Sequence, residues 1–235
     1  MYTALNIKSN LRFERKFLVE STHRSEVLHY IKRHPAFFRE IYHPRQINNI
    51  YLDTDQMQFF DDNKVGVSNR KKIRIRWYGE TFGPIKNPKL EYKIKEDLMG
   101  DKWTFNLNDF EVKPGFSSLK LKEILKASNL PEPIAEDLKS VRPSLLNSYH
   151  RTYFLSADKK FRITLDDQLS YYRFDYPISL FKAKYSNNQD LILELKYQPE
   201  DDDKANKISN HWPYRLSKSS KYVNGIDLTR MRGRD

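Results

Sequence analysis

The 235-residue sequence contains no cysteine. Disulfides, thiolate metal sites and cysteine nucleophiles are therefore excluded together. Glycine is scarce, at 7 residues, which argues against Gly-rich phosphate loops. Neither the P-loop pattern nor GxGxxG occurs. The apolar runs are short and broken by charge, so no membrane segment is expected. The opening residues, MYTALNIKSNLRFERKF, lack the apolar centre of a signal peptide. A soluble, cytoplasmic protein is the expectation, read as one domain over residues 1–235.

Positive charge and rings are what the chain has in quantity. Apolar residues make up 38% and aromatics 14%, enough to bury a core. The formal net charge is +11, spread along the chain, which implies an anionic partner. The stretch RKKIRIRWYG (70–79) shows how that charge is arranged. Ile73, Ile75 and Trp77 alternate with Arg74, Arg76 and Tyr78. A strand here has one apolar face and one cationic face.

Other segments repeat the pattern. LRFERKFLVE (11–20), QINNIYLDT (46–54), NPKLEYKIKED (87–97), KWTFNL (102–107), SLLNSYHRTYFLS (144–156) and QDLILELKYQP (189–199) read as strands. KKFRITLDDQLSYYRF (159–174) reads as a hairpin turning near Asp167. Asp166 and Asp167 either end a strand at that turn or belong to the charged face. Residues 21–35 read as a helix capped by Ser21 or Thr22. Residues 117–140 read as two short helices broken at Pro131 and Pro133. EDDDKANKISNH reads as a capped polar helix, and RLSKSSKYVNGIDL as a short helix or irregular segment. Tyr171, Tyr172, Phe174 and Tyr176 read as helix–barrel packing, though one ring could stack on a base. His150, next to Arg151, faces the other way.

The second strand faces carry Arg12, Glu14 and Lys16; Arg74 and Arg76; Glu91, Lys93 and Lys95; Arg151; Arg162, Thr164 and Asp166; Glu194 and Lys196. Singly, each reads as a solvated outer face. Together they differ, because the opposite faces are unusually apolar and need a cover that the helices can supply. With helices outside, the charged faces line the lumen of a closed barrel, and closure removes free edges. A lumen of Arg and Lys repels itself unless it holds an anion. Guanidinium forks match phosphate oxygens, so triphosphate or polyphosphate fits. The interleaved Glu14, Glu91, Asp166 and Glu194 make sense beside phosphate if a divalent cation, Mn²⁺ or Mg²⁺, sits between them. For Glu14 and Glu91, holding a neighbouring Lys or Arg is the equal alternative.

The segments FERKFLV, IYLDT, KIRIRWYG, LEYKIKED, YHRTYF, FRITLDD, LILELKY and LSKSSKYVNG resemble, in order from about residue 11 to 228, the VTC domain. That domain is the polyphosphate-polymerase branch of the triphosphate tunnel superfamily. The resemblance implies an α+β fold: an eight-stranded antiparallel barrel with helices packed outside. It implies Lys16, Arg74, Arg76, Lys93, Arg151, Arg162 and Lys196 as the catalytic, phosphate-binding cations, joined by Lys218 and Lys221. It implies Glu194 as metal ligand. The superfamily's usual E-x-E-x-K opening is RFERK here, with Arg12 in the first Glu position, which leaves fewer metal ligands at that end. Eukaryotic relatives carry a regulatory domain and membrane helices that this sequence lacks, so coupling to translocation is not expected. The implied activity moves the γ-phosphate of a nucleoside triphosphate onto a polyphosphate chain. The alternatives are a triphosphatase and a non-catalytic polyphosphate-binding module. A nucleic-acid binder would not need carboxylates beside its arginines, so no nucleic acid partner is expected.

Overall fold

Alternation along the strands decides the architecture, because each apolar face must find a cover. The structure is a computed structural model describing residues 12–20, 22–96, 99–113, 115–174, 181–187 and 190–231. Its strands are β1 (Phe13–Val19), β2 (Arg39–Asp53), β3 (Arg70–Tyr78), β4 (Gly83–Ile85), β5 (Lys89–Glu96), β6 (Met99–Asn106), β7 (Phe110–Val112), β8 (Arg142–Leu155), β9 (Arg162–Phe174), β10 (Phe181–Asn187) and β11 (Leu191–Tyr197). Its helices are α1 (Arg24–Lys32), α2 (Gln58–Val65), α3 (Ser118–Ala127), α4 (Glu132–Asp137), α5 (Asp202–Ser209) and α6 (Lys221–Met231). Eight strands form one antiparallel path, β1-β11-β9-β8-β2-β3-β5-β6, with β10 added on β9. β4 and β7 make a separate two-stranded ribbon.

The sheet curls so that strands far apart in this order meet. Lys93 of β5 reaches Glu14 of β1 at 4.0 Å. The convex face is apolar and covered, as the alternation requires. Ile50, Leu52, Ile73, Ile75, Trp77 and Leu90 pack under α3, α4 and the ribbon. Phe17, Phe154, Ile163, Leu165, Leu193 and Leu195 pack under α1 and α5. Full burial of each such side chain is worth about 1.5–3 kcal/mol.

The structure departs from the sequence expectations at several points. The barrel is a half-barrel: among the described residues no ladder joins β1 to β6, and side chains bridge the opening instead. Residues 162–174 form one strand and not a hairpin. Gln168 takes a left-handed φ of 52° and is an extra residue opposite Ser148–His150. This bulge flips the alternation, so Asp166 faces inward before it and Leu169 and Tyr171 face inward after it. Asp166 and Asp167 therefore lie within the strand and do not end it. Ahead of the bulge β9 pairs with β11; beyond it, with β10.

α1 begins after His23, with no side-chain cap, and Thr22 bonds the Glu20 carbonyl instead. Ser21 and Tyr176 lie outside the described residues. Pro131 and Pro133 do not simply break a helix but start α4, where missing N–H groups cost nothing. α5 has no side-chain cap either, and buries Ala205 and Ile208.

The largest departure is α6. It lies on the concave face, not outside. Tyr222 stacks on Tyr51 of β2 with centroids 4.7 Å apart, and Ile226 packs with Leu145 and Tyr171. Tyr172 and Phe174, by contrast, join the convex core. The Tyr222 hydroxyl donates to Asp53. Asp53 also accepts from the backbone N–H of Phe59 and Phe60, which caps the start of α2. α6 thus fills one end of the concave face with apolar surface.

Gly225 permits this docking. A Cβ there would sit 2.5 Å from both Leu145 and the Tyr171 ring. Gly225→Ala is expected to destabilise the protein by about 1–3 kcal/mol, the usual cost of overpacking. Urea denaturation measures the loss, and hydrogen exchange should show it concentrated in α6. Unchanged stability would mean that α6 does not dock as described.

Candidate functional site

Opposite the α6 plug, the concave face is ionic. Cross-strand neighbours set its order. Lys16 pairs in register with Glu194, Glu14 with Lys196, Arg151 with Asp166, and Arg74 with Glu91. Each pair opposes charge across one ladder rung, which is favourable in a sheet.

The deepest group is a buried cluster. Arg151 grips Asp166 with two bonds, Nε–Oδ1 2.5 Å and Nη2–Oδ2 2.6 Å. Lys221, at the start of α6, reaches Asp166 Oδ2 at 2.5 Å and Glu194 Oε1 at 3.6 Å. Glu194 is also approached by Lys196 at 3.3 Å, Arg151 at 3.5 Å and Lys16 at 3.9 Å. Thr164 Oγ1 donates to it at 3.4 Å. Asp166 is thus tightly held. Glu194, although buried, has no partner closer than 3.3 Å among the described residues.

A second group lines the β3–β5 wall. Arg74 donates twice to Glu91 Oε2, at 2.8 and 2.6 Å, and Lys102 takes Oε1 at 2.7 Å. Arg76 lies 3.6 Å from the same carboxylate. It also donates to Asn49 at 2.9 Å and to the Tyr149 hydroxyl at 3.3 Å. Near the sheet opening, Lys16 pairs with Glu14 at 2.9 Å, while Lys196 and Lys93 lie 3.7 and 4.0 Å from it. The Lys93 side chain is 65% exposed, at the rim. Arg162 is half-buried and has no ion pair among the described residues. Lys218 is exposed and likewise unpaired there, so the basic pair divides: Lys221 joins the cluster and Lys218 does not.

The charges bias one another. Burial and Glu194 would raise the Glu14 pKa, but Lys16, Lys196 and Lys93 hold it at about 2. Glu194 and Glu91 resist the same burial penalty and stay ionised, through Lys196, Lys221 and Arg151 in one case and Arg74 and Arg76 in the other. Lys72 goes the other way. Burial first, then Lys16, Lys93 and Arg74, push it well below 10.5. Its Nζ donates to Ser220 at 3.0 Å. Tyr149 is lowered despite burial, because Arg151 and Arg76 favour the phenolate.

Among the described residues, no three His, Asp or Glu side chains are placed to hold a metal ion by themselves. The donors still differ in fitness. Glu91 has both oxygens taken by Arg74 and Lys102, which places it in an ion pair. Glu194 keeps only long contacts, and Glu14 shares Lys16 and Lys196 with it. Two hard-oxygen donors suit a Mg²⁺ or Mn²⁺ completed by water and substrate oxygens, not an all-protein cage.

Sequence reasoning passed over Lys72, Asn49, Asn147 and Tyr149 as site residues. Lys72 has the same parity as Arg74 and Arg76, so period two could have found it. Asn49 bonds Asn147 at 2.8 Å, both fully buried. Their only signal was a polar residue in the inward register of an apolar strand.

The VTC domain family model matches residues 11–230. The chain is 24% identical to vacuolar transporter chaperone complex subunit 4 of Schizosaccharomyces pombe, over 90% of this chain and 36% of that protein. It thus spans about a third of that relative's length. PH1819 from Pyrococcus horikoshii OT3 shares the fold with a TM-score of 0.51 at 14% identity, covering 94% of this chain and 99% of that one. HpAC1 from Hippeastrum, described as a putative adenylyl cyclase with a dominant triphosphatase activity, matches with a TM-score of 0.50 at 13% identity. The overlap there is 92% of this chain and 96% of that one.

Two pH effects follow. Glu14, Glu91, Asp166 and Glu194 all have lowered pKa values. Their stabilisation is complete above the ordinary carboxylate range near 4–4.5 and is lost as pH falls through the lowered values. The melting temperature should therefore drop progressively below pH 4.5, and a flat profile down to pH 2 would contradict the pairing. Lys72 should gain a proton when an anion arrives, because the anion restores its pKa. Calorimetric titration with inorganic triphosphate, in buffers of different ionisation enthalpy, should show net proton uptake on the alkaline side. Affinity should weaken as pH rises through the lowered Lys72 value. Binding without proton exchange at any pH below 10.5 would contradict it.

Proposed function

The chain belongs to the VTC domain family, and on that premise we propose that it transfers the γ-phosphoryl group of a nucleoside triphosphate to the end of a polyphosphate chain. One observation carries this reading. Arg74, Arg76, Arg151, Lys16, Lys72, Lys93, Lys196 and Lys221 share one concave face with the carboxylates Glu14, Glu91, Asp166 and Glu194, so among these described residues the cations are in excess. The positive excess is matched to a phosphate chain.

Phosphoryl transfer asks little covalent chemistry of a protein. It asks for in-line positioning and for neutralisation of the equatorial and leaving oxygens. Arg76 and Arg74 offer forks from one wall, Arg151 and Lys196 face them from the other, and Lys16 and Lys93 guard the opening. A terminal phosphate oxygen of the acceptor forms the new P–O bond as the bond to the β-phosphate oxygen breaks, releasing a nucleoside diphosphate. No protein nucleophile is required. A divalent cation, when held by Glu194 and Glu14, would add charge neutralisation at the β- and γ-oxygens. The ion pairs already present keep the cations oriented before substrate arrives, so little reorganisation is needed at the moment of transfer.

A second reading has its own support. α6 fills one end of the concave face, which suits a short chain such as triphosphate and attack by water. The acceptor distinguishes the two. Incubation with ATP and Mn²⁺ or Mg²⁺, followed by gel separation of polyphosphate from free phosphate, should yield long-chain polyphosphate. Free phosphate alone would favour the hydrolase. No turnover with either metal would overturn the enzyme and leave a binding module. Arg76→Ala should lower nucleotide binding and turnover together, since a ground-state contact is lost.

A further inference from the structure

Of the rings that sequence reasoning allowed as a base platform, Tyr171 is buried under α6, and Tyr172 and Phe174 belong to the convex core. A different cluster is exposed. Arg45 of β2 has its guanidinium carbon 5.0 Å from the centroid of the Tyr42 ring, 5.7 Å from Tyr78 and 5.8 Å from Tyr153. Tyr42 and Tyr153 meet edge to face, with centroids 5.7 Å apart. Tyr42 is 47% exposed and Tyr78 is 52% exposed. Single exposed rings need no explanation, but three rings gathered on one cation do.

The position of the cluster is as informative as its make-up. Arg45 is the register partner of Arg151, and Tyr153 lies two residues beyond Arg151 on the same face of β8. That spacing is about 7 Å along a strand. Tyr78 follows Arg76 at the same parity on β3. Burial raises the Tyr153 phenol, and Arg151, Tyr78, Tyr149 and Arg45 all act on it, as their closeness requires. The rings therefore continue the cationic face outward, away from the α6 plug. Arg45 has no ion pair among the described residues, so its charge is held by ring faces. An ordered, half-exposed set of π-faces next to phosphate-binding cations has the chemistry that receives a nucleobase.

We propose that Tyr42, Tyr78 and Tyr153, organised around Arg45, hold the base of a nucleoside triphosphate whose phosphates lie on Arg76, Arg151 and their neighbours. This rests on the phosphoryl-donor reading above and adds to it where the base of that nucleotide is held, by stacking. The platform selects for an aromatic base over a bare triphosphate, and by stacking alone it tolerates more than one base.

Isothermal titration with ATP and, separately, with inorganic triphosphate tests this on the wild type, Tyr78→Ala and Tyr78→Trp. Tyr78 ends its strand half-exposed, and matching melting curves would establish that the variants fold. Tyr78→Ala should weaken ATP binding about tenfold, within the range of one lost base–ring stack. It should leave inorganic triphosphate within about twofold, and Tyr78→Trp should keep or tighten ATP binding. An equal loss for both ligands, or no loss for ATP, overturns the platform while the phosphate site stands. If neither ligand binds the folded wild type, the phosphate site itself fails and the platform falls with it.

Discussion

The buried contact of Arg151, Asp166, Lys221 and Glu194 is the constraint on which the rest of the structure depends. Taking four charges out of water costs several kcal/mol each unless each finds a partner. The sheet must therefore curl until β8, β9 and β11 present their side chains to one centre, and α6 must enter the concave face to bring Lys221 there. Gly225, Tyr222 and the Asp53 hydrogen bonds hold that helix in place. The convex apolar faces then need α1, α3, α4 and α5 as cover. Removing one partner of the cluster would strand a buried charge at a cost of about 3–5 kcal/mol.

The same electrostatics leave the site incomplete. Asp166 is fully engaged, whereas Glu194 keeps only long contacts and Lys72 is driven toward its neutral form by burial and then by its cationic neighbours. A fold made for stability alone would not gather a surplus of cations at low exposure. Carboxylates partly neutralise the surplus and orient it, and a phosphate chain can satisfy what remains. Grip and pre-organisation are in this sense one property of the concave face.

Much of this was legible because the two faces of each strand differ so sharply. Glu14 and Lys16, Arg74 and Arg76, Glu194 and Lys196 sit where period two puts them. What was hidden has identifiable causes. The left-handed Gln168 shifts the alternation of β9 by one, and a shifted strand mimics a turn between two strands. α6 buries Tyr222, Gly225, Ile226 and Thr229, a mixed set without a clean apolar stripe, so its place inside the sheet left little trace. Lys72 was masked by its place in a run of basic residues. Tyr42 and Arg45 lie on either side of His43 and Pro44 where the register of β2 shifts, so the ring cluster emerges only from tertiary contacts. Ion pairing of Glu91 depends on Lys102 reaching across from β6, a contact that no local pattern contains.

The central claim is that the concave face, already ordered by its own carboxylates, is the place where a phosphate chain binds. A crystal structure with inorganic triphosphate tests it most directly. The account predicts phosphate oxygens within hydrogen-bond distance of Arg76 and Arg151 and of at least one of Lys16, Lys72 and Lys196, with the Arg151–Asp166 pair intact. Triphosphate bound on the convex face, or a concave face that keeps every ion pair and takes up no anion at saturating concentration, would contradict it.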